Sequence, residues 1–391
     1  MRASPIPAGG FYTNKSAPHL APEAPWAHNL FIMMNNAAPH RPTPHSRFLG
    51  AWWGLFVGDA IALPSDGHYN LKKITEDCGD FSDYAAPVEP HPHSEIHRVP
   101  ADAIAGPLDC LMHRRALWGA PGTHYHHGMR AGDNTLSAVL AIELARSLVD
   151  KGKYDRDDWM ERYRRVMLTP EGHRDFYIPA AHRTFIGNLG KGLPLDKCGE
   201  EDSHIAGLVE AAPLMLLRVN NPDAMYRELN PQLALIRPST TITRAGALLA
   251  DILRLLLAGM SLDDACFKKL GHCHHPYLTF PYHRWIEHHT VEHVATHELS
   301  QGAAGDDAMP LALFIALKYA GDFHEAVATN ATLGGDAAHR GSLIGLMLGA
   351  MHGKEGIPEH LIRGLVNRAQ IEETGEALWN ALLATVANRP K

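Results

Sequence analysis

Three short acidic segments place carboxylates where they could do acid–base or metal chemistry. They are "GDAIALPSDGHY" at residues 58–69, "RAGDNTLSA" at residues 130–138 and "LGGDAAHRGS" at residues 333–342. An aspartate just before an apolar helix is most simply an N-cap, because its carboxylate accepts the free backbone N–H groups of the first turn. Three such turns among small residues favour a shared site instead, since small residues let side chains from different helices converge. The candidates are Asp66, Asp133 and Asp336.

Histidine clusters offer a second possible chemistry. The segment "HHTVEHVATHE" contains His289-x-x-Glu292-His293, the arrangement of inverted zinc proteases. Two histidines four residues apart on one helix face can chelate zinc, with Glu292 as a base. The chain has 27 histidines, so such a pattern also arises by chance, and zinc chemistry stays an alternative. The cluster "HYHH" at residues 124–127 is predicted either to line the entrance of the acidic site or to be a solvated surface loop.

The composition narrows the class of protein. The chain has 391 residues, of which 45% are hydrophobic and 20% charged, with a formal net charge of −7. Without long runs of Lys or Arg, it offers no surface that follows a phosphate backbone, so nucleic acid is not an expected partner. Five cysteines without a CxxC pair favour reduced thiols and a cytoplasmic location. The most apolar stretch, residues 48–64, is shorter than the roughly 20 residues that span a bilayer, so we expect a buried helix and no membrane partner.

Periodicity predicts helices and little else. Residues 1–45 are rich in Ala, Pro, His and Asn and are predicted to be a disordered leader, followed by a single domain over residues 46–391. Apolar stripes at a helical spacing predict an all-α fold. Long irregular connections are expected over about residues 66–133 and 266–306. The predicted helical windows are residues 48–64, 134–152, 156–168, 205–217, 243–258, 310–319, 324–332, 341–352, 359–368 and 373–386.

Two glycine ladders recur every fourth residue. One is formed by Gly50, Gly54 and Gly58, and the other runs along residues 341–353. Glycine costs about 1 kcal/mol relative to alanine inside a helix. The ladders therefore predict that other backbone comes unusually close to the first helix and to one of the last, and that both are central.

The acidic segments, in this order and spacing, resemble the motifs of the ADP-ribosylglycohydrolase family, which includes the dinitrogenase-reductase-activating glycohydrolases and the ADP-ribosylarginine and ADP-ribosylserine hydrolases. Family members carry G-D-A-x-G-x-P-x-E, then W-T-D-D-T, then L-G-G-D-x-D-T before a small-residue helix that ends in G-A-x-x-G and an Ile-Pro turn. This chain has "GDAIALPSD" at residues 58–66, "GDNT" at residues 132–135 and "LGGDAAH" at residues 333–339, and then "GAMHG" and "IP". The resemblance covers about residues 48–368.

The resemblance implies a compact orthogonal helical bundle with two magnesium ions in a central cleft, over which the ribose of an ADP-ribosyl group lies. In the family the ions are held by the Thr-Asp-Asp of the second motif and the Asp-x-Asp-Thr of the third. Magnesium suits such sites because it is small and hard, prefers octahedral oxygen ligands and can orient sugar hydroxyls and a water.

This chain departs from the family pattern at the metal-ligand positions. The second motif reads Gly132, Asp133, Asn134, and the third keeps Asp336 but has Ala338 and His339. The early Glu is replaced by Asp66. These losses predict at most one magnesium ion, held by Asp133, Asn134 and Asp336, or none if the site has been rebuilt. His339 and Arg340 would then supply positive charge that pairs with Asp133 or Asp336, or binds a substrate anion.

We therefore expect a hydrolase that acts on an N-glycosidic bond to ribose, in an ADP-ribosyl or nucleoside-like substrate. The partner would be a small ribosyl ligand or an ADP-ribosylated protein. The alternative is a catalytically silent relative that binds ligands or serves structurally. Acids that converge with raised pKa values would indicate catalysis, and acids that are each capped and solvated would indicate a scaffold. The predicted catalytic residues are Asp66, Asp133 and Asp336, and the predicted substrate-binding residues are Asn134, Gly334, Gly335, His339 and Arg340.

Overall fold

The computed structural model describes residues 41–91, 93–94, 96 and 107–387. In this part of the chain the regular structure is helical, and extended pairing is limited to one isolated bridge between His204 and Ala304. The predicted all-α fold is confirmed. Residues 1–40 of the predicted leader lie outside the described residues, and the first helix already begins at Pro44.

Fourteen α-helices of six or more residues can be numbered along the described chain. They are α1 Pro44–Ala62, α2 Leu71–Cys78, α3 Leu136–Lys151, α4 Arg156–Leu168, α5 Ala180–Gly190, α6 Ala206–Leu217, α7 Pro222–Ile236, α8 Thr240–Leu257, α9 Tyr282–His288, α10 Gly305–Lys318, α11 Phe323–Thr332, α12 Ala337–His352, α13 Glu359–Gly364 and α14 Arg368–Ala387.

The predicted windows overlap ten of these fourteen helices, but two expectations were wrong. The window at residues 359–368 is two helices, α13 and α14, separated by a turn. The two predicted irregular connections contain helices α2 and α9, and the second also contains π-helical turns at Asp264–Lys269 and Val294–Glu298. These pieces are too short for an apolar stripe to show over an 11-residue window.

Helices α1 and α12 form the centre of the molecule. The two glycine ladders face each other: a Cβ atom on Gly54 would overlap the carbonyl oxygen of Gly345, and one on Gly58 would overlap that of Gly341. Gly50 meets Gly349 in the same way. The predicted close approach is confirmed. Because this pairing runs in opposite directions along the two helices, the C-terminal end of α1 lies beside the N-terminal end of α12.

Helix α1 with the 3₁₀ turn after it, Pro44–Ser65, is long and apolar enough to cross a membrane by length and composition. Its apolar window is entirely buried inside the protein. It begins with Thr43, whose Oγ1 accepts the Ser46 N–H at 3.1 Å, and with Pro44 in the first turn. The stretch is a core helix, as its sequence predicts.

Candidate functional site

Asp66 leaves the end of α1 and caps the start of α12. Its Oδ1 accepts the backbone N–H of Ala338 at 2.9 Å. Its Oδ2 lies 3.0 Å from Nε2 of His126. The residue is 8% exposed. Because α12 receives its cap from a different segment, Asp66 fixes the turn after α1 against the third acidic motif.

His126 is held between two buried carboxylates. Its Nε2 contacts Asp66, and its Nδ1 lies 2.7 Å from Oδ1 of Asp175. Burial alone would lower the pKa of His126, but the charges and hydrogen bonds of Asp175 and Asp66 raise it to about 10. An imidazolium therefore stands beside Asp66 at neutral pH. The surface-loop interpretation of "HYHH" is wrong for His126 and for His124, which are 2% and 0% exposed.

Asp175 was not anticipated from the sequence, although it completes this arrangement. Its Oδ2 accepts the Leu136 N–H at 2.8 Å, so it caps α3 while its other oxygen faces His126. Burial would raise the pKa of Asp175, but the neighbouring His126 lowers it. The signal in the sequence was weak, because an isolated aspartate in an irregular connection carries no motif.

Asp336 and His339 form a buried ion pair at the N-terminus of α12. Asp336 occupies the N-cap position, but its side chain caps nothing. Instead its Oδ1 lies 2.6 Å from Nδ1 of His339. Burial would lower the pKa of His339, but Asp336 raises it to about 9. Burial would raise the pKa of Asp336, but the neighbouring imidazolium of His339 holds it well below its usual range. The predicted pairing of His339 with Asp336 is therefore present.

His204 completes this group from the segment before α6. Its Nε2 lies 3.7 Å from Oδ1 of Asp336. Its Nδ1 accepts the Ala206 N–H at 3.1 Å, so the ring proton sits on Nε2 and points toward the carboxylate. A nitrogen that carries a proton has no lone pair for a metal. His204, Asp336 and His339 are thus arranged for hydrogen bonding rather than for coordination, although their ligand atoms cluster within 4.8 Å.

Asp133 and Asn134 belong to the second acidic motif, and their side chains have different hydrogen-bond partners. Asp133 is 1% exposed, and its Oδ2 accepts from Arg130 N at 2.8 Å and from Arg130 Nε at 3.3 Å. Arg174 Nη1 lies 3.8 Å from the same oxygen. Asn134 donates through Nδ2 to Asp59 Oδ1 at 2.9 Å. The carboxylate of Asp133 is thus neutralised by two arginines of the chain itself.

Asp59 joins the second motif to both central helices. It accepts from Thr135 N at 2.8 Å, Thr135 Oγ1 at 2.7 Å and Ser342 Oγ at 3.5 Å, in addition to Asn134. Burial raises the pKa of Asp59, against the hydrogen bonds from Asn134 and Thr135 that favour its charged form. Asp59 belongs to the first motif, but its sequence context predicted no role for it.

Three of the predicted substrate-binding residues are used to build the fold. A Cβ on Gly334 would overlap the carbonyl oxygen of His68, and one on Gly335 would overlap that of Gln301. Both glycines have positive φ, +58° and +64°. Arg340 is fully buried and donates to Asn330 Oδ1 at 2.6 Å, to Gly334 O at 2.8 Å and to Gln301 O at 3.2 Å. The structure corrects the predicted role of Arg340, because all three of its guanidinium nitrogens donate to groups of the protein itself and brace the turn.

The residues present do not fit a magnesium pair. Asp133 already faces Arg130, and Asp336 faces His339, whose positive charge would repel a divalent cation. Two buried oxygens nevertheless have no hydrogen-bond partner among the described residues, namely Asn134 Oδ1 and Asp336 Oδ2. Buried acceptors without partners are costly, so they are suited to donors that a ligand brings.

The acids of the site match neither the raised pKa values expected for catalysis nor the solvated carboxylates expected for a scaffold. The acids are buried rather than solvated, yet Asp336 has a lowered pKa and not a raised one. What the site shows is a set of buried carboxylates that each contact a basic side chain: Asp66 with His126, Asp336 with His339 and Asp133 with Arg130.

Comparisons with known proteins identify relatives of this chain. The family model described as ADP-ribosylglycohydrolase matches residues 40–387. A solved structure titled "ADP-ribosylglycohydrolase-related protein complex" is similar to this chain with a TM-score of 0.57 and 22% sequence identity, over 87% of this chain and 99% of that one. At that identity the structural likeness supports the fold alone. No curated protein matches the chain. Because the family model spans most of the sequence, this chain belongs to the ADP-ribosylglycohydrolase family.

Proposed function

We propose that this chain hydrolyses an N-glycosidic bond to ribose, in an ADP-ribosyl or nucleoside-like substrate, without a magnesium pair. Family membership supports a hydrolase of this fold. The proposed ribosyl substrate is supported by two buried acceptors without hydrogen-bond partners, Asn134 Oδ1 and Asp336 Oδ2. Ribose hydroxyls are donors, so a bound ribose would satisfy oxygens that otherwise reduce the stability of the site.

The carboxylates of the site suit the charge that develops during cleavage. As the C1′–N bond breaks, positive charge builds on the ribose ring, and fixed negative groups stabilise it. Asp336 is held ionised by His339. Asp66 is held in one orientation by Ala338 and His126, and it would take the proton of the water that bonds to C1′.

The leaving nitrogen receives the electron pair of the broken bond and then needs a proton. His339 is the group we assign to this step, because a pKa of about 9 keeps it protonated at neutral pH. Its Nε2 lies 3.1 Å from Ser137 Oγ, and its Nδ1 contacts Asp336. In this proposal, the positive charge of His339 beside Asp336 takes the part that metal ions are expected to have in the family.

The test is turnover with and without metal. Chelator-treated, tag-free protein would be incubated with ADP-ribosyl-arginine, an ADP-ribosylserine peptide and a nucleoside, and the release of ADP-ribose or ribose would be followed by chromatography. We expect release that continues in EDTA and falls at least about a hundredfold in Asp66→Asn and His339→Gln. The matched control is Asp263→Asn, which changes an exposed aspartate paired with His283.

The other outcomes separate the alternatives. Turnover that requires added magnesium would overturn the metal-independent site and support the single ion predicted at Asp133, Asn134 and Asp336. Binding of ADP-ribose by calorimetry without turnover of any substrate would support the silent, ligand-binding relative.

A further inference from the structure

A cluster of histidines and one glutamate lies between α9 and α10, outside the site described above. The rings of His289 and His293 are stacked with centroids 4.5 Å apart, and those of His293 and His297 are 4.6 Å apart. Glu298 Oε1 lies 3.9 Å from His293 Nε2. One ligand atom each from His289, His293 and Glu298 falls within 4.8 Å of the others. His293 and Glu298 have side chains 40% and 38% exposed, so an ion can reach them from solvent.

A wide backbone turn produces this cluster. One turn of α-helix, Val291–His293, continues into a π-helical turn, Val294–Glu298, which is closed by a hydrogen bond from Leu299 N to Val294 O at 2.9 Å. In an α-helix, residues five apart point about 140° away from each other. The wider π turn brings residues four and five apart to one face, and such turns occur frequently at functional sites. Glu298 reaches His293 for this reason.

The ring nitrogens are placed to coordinate. Within the described part of the chain, no hydrogen bond holds the ring of His289, and the one charged group that a ring nitrogen of His293 contacts is Glu298. The Thr296 hydroxyl donates to the Glu292 carbonyl at 2.8 Å, so the 2.8 Å contact with His297 Nδ1 is one in which the ring donates. The lone pair of His297 is then on Nε2. Metal-binding histidines commonly have their other nitrogen fixed in this way.

We propose that His289, His293 and Glu298, whose ligand atoms already lie together, bind a zinc ion, and that His297, which is stacked on His293, joins them when its ring turns toward the ion. Imidazole and carboxylate are ligands that zinc prefers, whereas magnesium prefers a full set of oxygens. From the sequence, zinc with Glu292 as a catalytic base was only an alternative. Glu292 is not a member of the cluster, so the structure supports a structural zinc site rather than a protease.

The segment after Glu298 leads directly to the candidate functional site. The carbonyl of Gln301 accepts the Asp336 N–H at 2.9 Å and the Arg340 Nη1 at 3.2 Å. Only two residues separate Glu298 from Gln301. A zinc ion would therefore fix the start of the segment that braces Asp336, and it would stabilise the folded protein by binding that state alone.

The experiment is calorimetric titration of zinc chloride into the tag-free, chelator-treated full chain. We expect one equivalent bound by the wild type and affinity weakened at least about tenfold in His293→Ala. The matched control, His283→Ala, removes another exposed histidine of the same region, paired with Asp263, and should leave the affinity unchanged. Equal affinity in wild type and His293→Ala, or no zinc binding by the wild type, would overturn the site.

A second variant tests whether a loss of zinc affinity comes from the missing ligand or from misfolding. Glu298→Gln removes the charge but keeps the shape of an exposed side chain, so its circular dichroism spectrum should match that of the wild type. It should also weaken zinc binding, since a neutral amide is a poorer zinc ligand. Unchanged affinity in Glu298→Gln would remove the carboxylate from the proposed ligand set.

Discussion

At the scale of single residues, the carboxylates of the site are paired with basic side chains of the protein. The sequence showed the loss of an acid at Ala338 together with the gain of His339, and that coincidence predicted a base in place of a metal. The structure shows His339 on Asp336 and adds an imidazolium that was not predicted, His126 on Asp66. The second contact joins residues 60 positions apart in the chain, so no local motif could reveal it.

Removing the buried imidazolium should be strongly destabilising. His126→Gln leaves Asp66 and Asp175 facing each other without the cation between them. We expect the free energy of unfolding to fall by about 3–5 kcal/mol, as when one partner of a buried ion pair is lost. Urea denaturation followed by circular dichroism measures this.

The control for this prediction is the next histidine in the same cluster. His127 contacts Glu89, and both side chains are about one-third exposed, at 33% and 31%. An exposed pair contributes about 0–1 kcal/mol, so His127→Gln should be nearly neutral. Similar losses in the two variants would show that the Asp66–His126–Asp175 contacts do not stabilise the fold.

At the scale of helices, the glycine ladders were the clearest signal in the sequence. They predicted which helices come into backbone contact, because glycine's helix penalty is tolerated where a side chain cannot fit. Helices α5 and α7 carried no such signal and were missed. Helix α5 contains Gly187 and ends in Gly190, and α7 contains Pro231, all of which argue for loops when read from the sequence alone.

A methyl group in the α1–α12 contact should destabilise the protein. Gly345→Ala would place its Cβ against the backbone of Gly54, where neither helix can yield without moving the other. We expect a loss of about 1–3 kcal/mol or more in the free energy of unfolding. Thermal denaturation of the purified variant measures it as a lowered Tm.

The matched control changes a glycine inside another helix. A Cβ on Gly187 of α5 meets no atom within 4 Å. Gly187→Ala should therefore raise stability by about 0.5–1 kcal/mol through helix propensity alone. If both variants were stabilised, the two ladders would not be in the contact described.

At the scale of the whole molecule, the order of motifs predicted the fold and the neighbourhood of the site. The antiparallel α1–α12 pair explains why motifs more than 250 residues apart meet: Asp66 follows α1, and Asp336 precedes α12. The roles of individual residues were harder to predict, because they depend on contacts across that pair. Gly334, Gly335 and Arg340 belong to the third motif, but their contacts with His68 and Gln301 hold the turn of that motif in place.

The histidines make the stability of the whole protein depend on pH in both directions. His126 and His339 have folded pKa values of about 10 and 9, above the ordinary 6.5. Their stabilising contribution is complete below pH 6.5 and is lost as the pH rises toward those values, since the folded state then binds more protons than the unfolded one. His91 and His173 are buried in the neutral form, chiefly through desolvation, with pKa values of about 4 and 3. Their charging in the unfolded state destabilises the fold as the pH falls below 6.5.

The free energy of unfolding should therefore be greatest near pH 6.5 and fall on either side. Urea denaturation at pH 4.5, 6.5 and 8.5 measures it, and the upper value avoids titration of lysines and tyrosines at their ordinary pKa values. His126→Gln should flatten the loss between pH 6.5 and 8.5, because it removes the group with the largest upward shift, while His127→Gln should follow the wild type. If wild-type stability rose steadily from pH 6.5 to 8.5, His126 and His339 would not be held as cations, and the metal-independent site would lose its physical basis.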